Sequence, residues 1–243
     1  HQFRSRYHRE EVTNNRGGWA KLEFLKTEHL TSEGYFTYLK EFKGGHSLNA
    51  VAGYSYFEKN GENFNAENYD FGVEGLKYWD LESGSYLTDG KAKMGSKKDI
   101  TERLFALYAR ANYSYNDKYM VTATIRHEGS SKFAAENRWG NFWALSGGWR
   151  VSGEEFMKEF DWVNDLKIRF GYGVTGNNDF DASYMANTLS RDQYWMLPSG
   201  SWAFVYGPSS NVNPYLGWEE KKEWNIGVDY SFFGNRMYGK FDY

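Results

Sequence analysis

The 243-residue sequence predicts an all-β fold, namely a transmembrane antiparallel β-barrel segment with long extracellular loops. Between residues 101 and 170, apolar and polar residues alternate, which indicates strands with one apolar face and one polar face. The apolar residues are small in mid-strand and aromatic at the strand ends, as in a barrel with aromatic girdles at both membrane interfaces. A strand of about ten residues tilted near 45° rises roughly 23 Å, which matches the apolar band of such a barrel.

The alternate positions that form one face of these strands carry no charged side chain. They are Phe105, Leu107, Ala109, Ala111, Tyr113, Tyr119, Val121, Ala123, Ile125, Trp143, Leu145, Gly147, Trp149, Leu166, Ile168 and Phe170. The first predicted aromatic rim contains Tyr113, Tyr115, Tyr119 and Trp149. The second contains Phe105, Trp143 and Tyr172.

The opposite face is polar and holds the candidate lumen-facing charges. These are Arg110, Arg126, Arg150 and Arg169, with Lys167 beside them. We expect them to form charge ladders across the wall with Glu128, Glu223 and Asp229. Contact between these cations and a passing substrate is the alternative interpretation.

Eight strands are predicted, and the connections between them alternate between short and long. The predicted strands are 34–42, 46–57, 101–115, 118–128, 141–151, 166–174, 219–233 and 236–243, after an extended segment at 19–30. Tight turns are predicted at 43–45, 116–117 and 234–235, where Gly, Asn and Asp concentrate. Longer loops are predicted at 59–100, 129–140 and 175–218, and a helical turn at 154–160. Short turns on one side and long loops on the other are typical of an outer-membrane barrel.

Composition argues against several other classes of protein. The formal net charge is -3, so nothing marks a nucleic-acid binder. The chain has no cysteine, which excludes disulfides and thiolate metal sites. No apolar run approaches the ~20 residues of a membrane helix.

The candidate chemistry of the chain is sparse. The five histidines lack metal-ligand spacing, and no nucleophile triad, P-loop or Rossmann fingerprint is present. Residues 177–181 read NNDFD and carry oxygen ligands for calcium, but they lack the glycine and distal glutamate of an EF-hand loop. An acidic turn is the favoured interpretation there. We expect no enzyme activity, no cofactor and no metal.

Large aromatic residues in the predicted long loops are the candidate ligand-contacting or partner-contacting side chains. They are Trp79, Tyr86, Trp195 and Trp202. Loops on a rigid scaffold commonly carry function, and aromatic faces stack on sugars or pack on a partner protein. Packing of one loop on another is the alternative.

Several sequence blocks resemble the barrel of SusC/RagA-type TonB-dependent transporters, in the same order and spacing. They are ARANYSY at 109–115, DKY at 117–119, ATIR at 123–126, GSSKF at 129–133, GGWRVS at 147–152, EFM at 155–157, LKIR at 166–169, YGVTGN at 172–177, NP at 213–214, LGWE at 216–219 and WNIGVDY at 224–230. Before residue 104 the resemblance rests on HSLNAVAG at 46–53 and on the strand-loop texture.

The resemblance implies the bacterial outer membrane as location, with contact to membrane lipid and lipopolysaccharide. It implies active import of an oligosaccharide or peptide substrate, a SusD-like surface lipoprotein as partner, and energy supplied through TonB. It also implies a longer chain, so residues 1–243 are expected to be part of one barrel domain of ~22 strands, without its plug or final strands. No substrate-binding residues are implied in this region.

Two other readings remain open from the residues themselves. One is a soluble all-β carbohydrate-binding module that uses the aromatic loops and buries its apolar face against a second sheet. The other is a small self-closed barrel of about eight to ten strands.

Overall fold

The computed structural model describes residues 2–4, 17–73, 75–180, 189–208 and 213–243. They fall into two compact units, of which unit 1 comprises residues 1–29 and 59–101 and unit 2 comprises residues 30–58 and 102–243. The regular structure of the described residues consists of strands and short 3₁₀ turns.

The described residues contain twelve strands, numbered here in chain order. They are β1 Gln2–Arg4, β2 Trp19–Phe42, β3 His46–Tyr69, β4 Lys93–Lys98, β5 Glu102–Tyr115, β6 Tyr119–Ser130, β7 Trp139–Arg150, β8 Val163–Asn177, β9 Leu189–Met196, β10 Trp202–Pro208, β11 Glu219–Phe232 and β12 Met237–Asp242. The all-β prediction is therefore confirmed.

Unit 2 is built on one sheet in the order β2-β3-β5-β6-β7-β8-β11-β12. Neighbouring strands from β5 to β12 pair antiparallel. One register row runs Tyr113, Val121, Gly147, Phe170 and Ile226. Because every member of this row is uncharged, the apolar face continues across five strands. In the described part of the unit β2 and β12 end the sheet, and the eight strands do not close on themselves.

The apolar face of unit 2 is exposed. Ile125 is 53% exposed, Leu145 is 50% and Phe170 is 53%. A soluble sandwich would bury these side chains under a second sheet, and in the part that the structure describes no sheet covers them. The exposed apolar face is the geometry expected of a wall that contacts lipid.

The tight turns are confirmed. Asn116 and Asp117 both have positive φ, at 50° and 52°, which a type I′ hairpin requires and which Asn and Asp tolerate better than most residues. The Asn116 amide donates to Gly45 O at 2.7 Å, so the turn at 43–45 lies beside it. In the third turn the Gly234 amide donates to Asn164 Oδ1 at 2.7 Å.

The predicted long loops contain strands that the sequence pattern did not reveal. β3 continues to Tyr69 and pairs with β4, both inside the predicted loop 59–100. β9 and β10 form a hairpin inside the predicted loop 175–218. The outer part of β3, residues 59–69, has polar side chains on both faces and therefore shows no alternation of apolar and polar residues. Its pairing with β4 includes opposite charges, such as Glu67 and Lys93 at 3.3 Å.

Unit 1 has a small core where β3 ends. Ala20, Tyr69 and Phe71 are buried, and so is Asn68. Asn68 Nδ2 donates to Leu81 O and Gly84 O, each at 2.8 Å. The segment after β3 is therefore held by side-chain hydrogen bonds and includes 3₁₀ turns at Lys77–Trp79 and Leu81–Ser83.

Candidate functional site

The polar face of unit 2 carries an ion cluster centred on Arg169. Its guanidinium donates to Asp229 through Nε at 2.9 Å and Nη2 at 2.8 Å, and Nη2 also lies 2.8 Å from Asp242 Oδ1. A Cβ added to Gly227 would lie 2.7 Å from Arg169 Nη2, so the glycine leaves room for the side chain to cross β11. Two carboxylates thus form ion pairs with this predicted lumen-facing arginine.

The other predicted cations do not pair with the predicted carboxylates of neighbouring strands in the described part of the chain. Arg126 pairs with Glu128 on its own strand at 2.7 Å, and Glu223 pairs with Lys221 on its own strand at 2.9 Å. Strand neighbours two positions apart share a face, which the ladder prediction neglected.

Arg150 and Arg110 are two further cations of the polar face. Arg150 Nε lies 3.4 Å from Asp165 Oδ1 without hydrogen-bonding geometry, while Ser152 Oγ donates to the same oxygen at 3.0 Å. Arg110 is exposed and has no ion-pair partner among the described residues. The face therefore combines neutralised and free positive charges.

An aromatic cluster supports the connections after β6 and β8. Phe133 is 2% exposed, and its ring centroid lies 5.1 Å from those of Phe180 and Trp218. Phe142 packs against Trp218 at 5.1 Å. The sequence pattern does not reveal this cluster, although two of its members, Phe133 and Trp218, lie in the family-like blocks GSSKF and LGWE.

Lys132 binds the segment after β8. Its Nζ lies 2.9 Å from Phe180 O, 3.5 Å from Asn178 O and 3.5 Å from Glu102 Oε2. The ammonium thus binds backbone carbonyl oxygens of the segment considered for calcium.

The described part of that calcium candidate makes hydrogen bonds within the chain. Asn177 Nδ2 donates to Glu219 at 3.0 Å, and Asn178 Nδ2 donates to Ser130 Oγ at 3.2 Å. Asp181 lies outside the described residues. Among those described, no group of three or more His, Cys, Asp or Glu side chains has the proximity to hold a metal ion.

The loop aromatics of unit 1 differ in their environments. Trp79 is 79% exposed and packs on Tyr78 with ring centroids 5.0 Å apart. Tyr86 is half-buried, with its ring 5.4 Å from that of Tyr69 and Lys91 Nζ 5.3 Å from its centroid. Trp79 is thus available for contact, whereas Tyr86 largely packs within its own loop.

Trp195 and Trp202 lie on the β9-β10 hairpin of unit 2 and point to opposite faces. Trp202 pairs with Met196 and Tyr194 pairs with Phe204, which places these four side chains on one face. Trp195 pairs with Ala203 on the other. Trp202 is 67% exposed and Trp195 is 66% exposed, so both rings are accessible.

The first aromatic rim surrounds a carboxylate. Glu154, in the connection between β7 and β8, accepts hydrogen bonds from Tyr119 Oη at 2.6 Å, Trp149 Nε1 at 3.1 Å and Lys118 Nζ at 3.2 Å. These donors hold the pKa of Glu154 below its usual value, the hydrogen bond from Tyr119 being the largest cause. Tyr119 and Trp149 of the predicted rim therefore share Glu154 as an anchor.

We expect Glu154→Gln to lower the thermal stability of the full-length protein at neutral pH. A carboxyl whose pKa is depressed by folding stabilises the fold above its unfolded pKa, and that contribution is lost as pH falls through the folded pKa. The stability gap between wild type and variant should therefore narrow below about pH 4. Heat-dependent gel migration measured from pH 7 to 3 checks this, and a gap that stays constant would contradict it.

The second rim includes a residue that was not predicted. Trp139 stacks on His127 at 4.8 Å and meets Phe105 edge-on at 6.3 Å. Trp143 packs on Tyr172 at 5.4 Å. The loop predicted at 129–140 ends earlier than expected because β7 begins at Trp139.

Among the described residues, no helical segment has the length and apolar character required to cross a membrane. A long antiparallel sheet with an exposed apolar face, a charged polar face and aromatic strand ends defines the wall of a membrane β-barrel. The family model of the TonB dependent receptor-like β-barrel matches residues 1–243, and the chain belongs to this family. The resemblance noted from the sequence blocks is thereby confirmed. The chain is therefore part of an outer-membrane protein.

Relatives and solved structures agree with this assignment. TonB-dependent receptor P39 of Formosa agariphila is 34% identical over 216 residues, which are 85% of this chain and 19% of that protein. TonB-dependent receptor SusC of Bacteroides thetaiotaomicron is 33% identical over 156 residues, which are 63% of this chain and 16% of that protein. A structure of the RagAB peptide transporter superposes with a TM-score of 0.81 and 22% identity, covering 93% of this chain and 24% of that one.

The chain spans only about a fifth of the length of these relatives. The structural similarity shows the shared fold. The RagAB complex also appears as a peptide importer in a closed-closed state, with a TM-score of 0.72.

Proposed function

We propose that this chain supplies barrel wall and extracellular loops to an outer-membrane importer of oligosaccharides or peptides that is energised through TonB. The observation that carries the proposal is the family match over residues 1–243. The similarity to a peptide transporter favours peptides as one substrate class, and oligosaccharides are the other class implied by the SusC/RagA-type resemblance.

The structure supports a role as wall rather than as catalyst. The exposed apolar residues of unit 2 suit contact with membrane lipid and lipopolysaccharide, and the ionised opposite face suits a water-filled lumen. Arg126 and Arg169 are engaged by carboxylates, so their main role is to hold the wall together. No enzymatic step and no cofactor is part of the proposal.

The proposed partner is a SusD-like surface lipoprotein that contacts the extracellular loops. The accessible aromatic side chains available for such a contact, or for the substrate, are Trp79 in unit 1 and Trp195 and Trp202 in unit 2. The face of the β9-β10 hairpin that carries Tyr194, Met196, Trp202 and Phe204 is the best-supported candidate, because each of these side chains is more than half exposed.

The proposal is tested by fractionating the source cells and then measuring uptake. Recovery of this sequence in the outer membrane, on a polypeptide several times heavier than 28.4 kDa, is expected. A gene deletion should abolish growth on one class of oligosaccharide or peptide. Recovery as a soluble 28.4-kDa protein would contradict the proposal and favour a carbohydrate-binding module.

We expect Trp202→Ala combined with Phe204→Ala to impair uptake without lowering the amount of protein in the outer membrane. Both side chains are more than half exposed on one hairpin face, so their loss removes contact area, together with the packing of Phe204 on Tyr194 at 4.4 Å between ring centroids. Uptake of labelled substrate at limiting concentration should fall by at least about tenfold, as for removal of an interface anchor. Tyr215→Ala, at another exposed loop aromatic, is the control; equal uptake in both would exclude a role for this face.

A further inference from the structure

The connection between β7 and β8, residues 151–162, is attached to the apolar side of the wall where it begins. Glu154 accepts hydrogen bonds from Tyr119 Oη at 2.6 Å and from Trp149 Nε1 at 3.1 Å. Tyr119 and Trp149 are register partners on the apolar face of the sheet. The first part of the connection is therefore held on the side that contacts lipid.

The end of the connection is attached to the same side. The ring of Trp162 packs on that of Phe232, with centroids 5.4 Å apart. Phe232 in turn stacks on Tyr230 at 5.3 Å, and Tyr230 is the register partner of Leu166 on the apolar face. The Phe233 amide also donates to Trp162 O at 2.8 Å, which fixes the path of the chain into β8.

Between these two attachments the connection exposes large aromatic side chains. Phe156 is 58% exposed, Phe160 is 44% exposed and Trp162 is 49% exposed. Backbone hydrogen bonds define the path that carries them, since the Phe160 amide donates to Met157 O at 3.0 Å and the Val163 amide donates to Phe160 O at 2.9 Å. A hydrogen-bonded segment thus presents three accessible rings.

Charged side chains accompany these rings. Glu155, Glu159 and Asp161 are exposed, and Lys158 Nζ pairs with Glu155 at 2.8 Å. Aromatic rings beside charges suit the headgroup region of a bilayer, whereas a charge is costly in the hydrocarbon centre. Because the carboxylates outnumber the ammonium group, the segment favours zwitterionic phospholipids over anionic ones.

The place of the connection along the wall also agrees with a membrane interface. The Arg150 amide donates to Lys118 O at 2.7 Å, and the Asn116 amide donates to Gly45 O at 2.7 Å. The connection therefore lies at the end of the sheet that carries the tight turns, which is the periplasmic end of an outer-membrane barrel. The first aromatic rim lies at the same end, and the connection continues its surface beyond the strands.

We propose that the β7-β8 connection is an interfacial anchor, in which Phe156, Phe160 and Trp162 insert among the headgroups of zwitterionic phospholipids in the periplasmic leaflet. Continuity with the apolar face identifies the occupant as phospholipid, because both ends of the segment are attached to that face. The anchor fixes the depth of the wall in the bilayer. The inference rests on the membrane location and not on import, so a failed uptake experiment would leave it standing.

The test uses the full-length protein in nanodiscs of phosphatidylethanolamine and phosphatidylcholine, with a nitroxide spin label on Phe160→Cys. This chain has no cysteine, and any elsewhere in the protein is replaced by serine. Oxygen concentrates in the bilayer and a nickel chelate in water, so the ratio of their collision rates with the label reports depth. The ratio should be at least about threefold higher for Phe160→Cys than for Lys43→Cys, the matched control in an exposed tight turn at the same end.

The label at Phe156→Cys should give the same result as the label at Phe160→Cys. Ratios equal to that of Lys43→Cys at both positions would place the rings in water and overturn the proposal. Low collision rates with both reagents would also overturn it, because they would show that protein rather than lipid covers the segment.

Phospholipid brominated near the headgroup provides a second measurement, without a label. Bromine quenches tryptophan emission on contact, so Trp162→Phe should lower the fraction of the emission that is quenched. Trp79→Phe is the control, since Trp79 is 79% exposed in a predicted extracellular loop, and it should not lower this fraction. Equal decreases in the two variants would contradict insertion of Trp162.

Discussion

Replacing Ala123 with arginine is expected to lower the free energy of unfolding of the full-length protein by about 2–4 kcal/mol. Ala123 is exposed on the apolar face of β6, between Ala111 of β5 and Leu145 of β7 in register. It lies mid-strand, away from both aromatic rims, so an arginine there would place its charge near the centre of the bilayer. Urea titration of protein folded into phospholipid vesicles measures the loss.

The matched control is Thr124→Arg, one residue further along the same strand. Thr124 belongs to the polar face and lies opposite Arg110. An arginine at this position would repel Arg110 across the strand pair, which should lower the free energy of unfolding by less than about 1 kcal/mol. Equal losses for the two variants would show that the apolar face of β6 does not contact lipid. Because successive side chains of a strand point to opposite faces of the sheet, the comparison tests which face of β6 contacts lipid, while the position along the strand is nearly unchanged.

Phe133→Ala should destabilise the protein by about 3–5 kcal/mol, the usual cost of removing a buried phenylalanine ring. Phe133 is 2% exposed and its ring contacts those of Phe180 and Trp218, which belong to two separate parts of the long connection after β8. The variant should therefore also loosen that connection. Urea titration measures the loss of stability, and limited proteolysis of intact cells should show faster cleavage between residues 175 and 218.

Tyr215→Ala serves as the control for this effect because Tyr215 lies in the same connection and is 87% exposed. Its removal should change the free energy of unfolding by no more than about 0.5 kcal/mol. If Phe133→Ala were as mild, the aromatic cluster would not support the loop.

The sequence predicted the sheet of unit 2 well because its signals are local. Strict alternation from Phe105 to Phe170 reports which side chains share a face, and the Asn116-Asp117 pair reports a tight turn through its tolerance of positive φ. Both signals need only neighbouring residues. The aromatic strand ends likewise indicated a membrane wall.

The signals failed where structure depends on distant partners. The outer part of β3 has polar residues on both faces, and its strand conformation is completed by β4, about thirty residues later in the chain. The hairpin of β9 and β10 was hidden in the same way among loop-like residues. In both cases pairing across the chain, rather than local pattern, produces the strand.

Facing, turn positions and membership in the barrel family can thus be read from neighbouring residues. Whether a charged side chain has an ion-pair partner cannot be read in this way, because it depends on which strands become neighbours and on the space between them. Arg169 is paired with Asp229 on the neighbouring strand and, across Gly227, with Asp242 on the strand beyond, whereas Lys167, two residues earlier on the same face, has no ion-pair partner among the described residues. Tertiary structure alone separates an arginine that ion-pairs with neighbouring strands from a lysine on the same face that lies outside ion-pairing distance of the described carboxylates, because electrostatic interaction depends on distance in space.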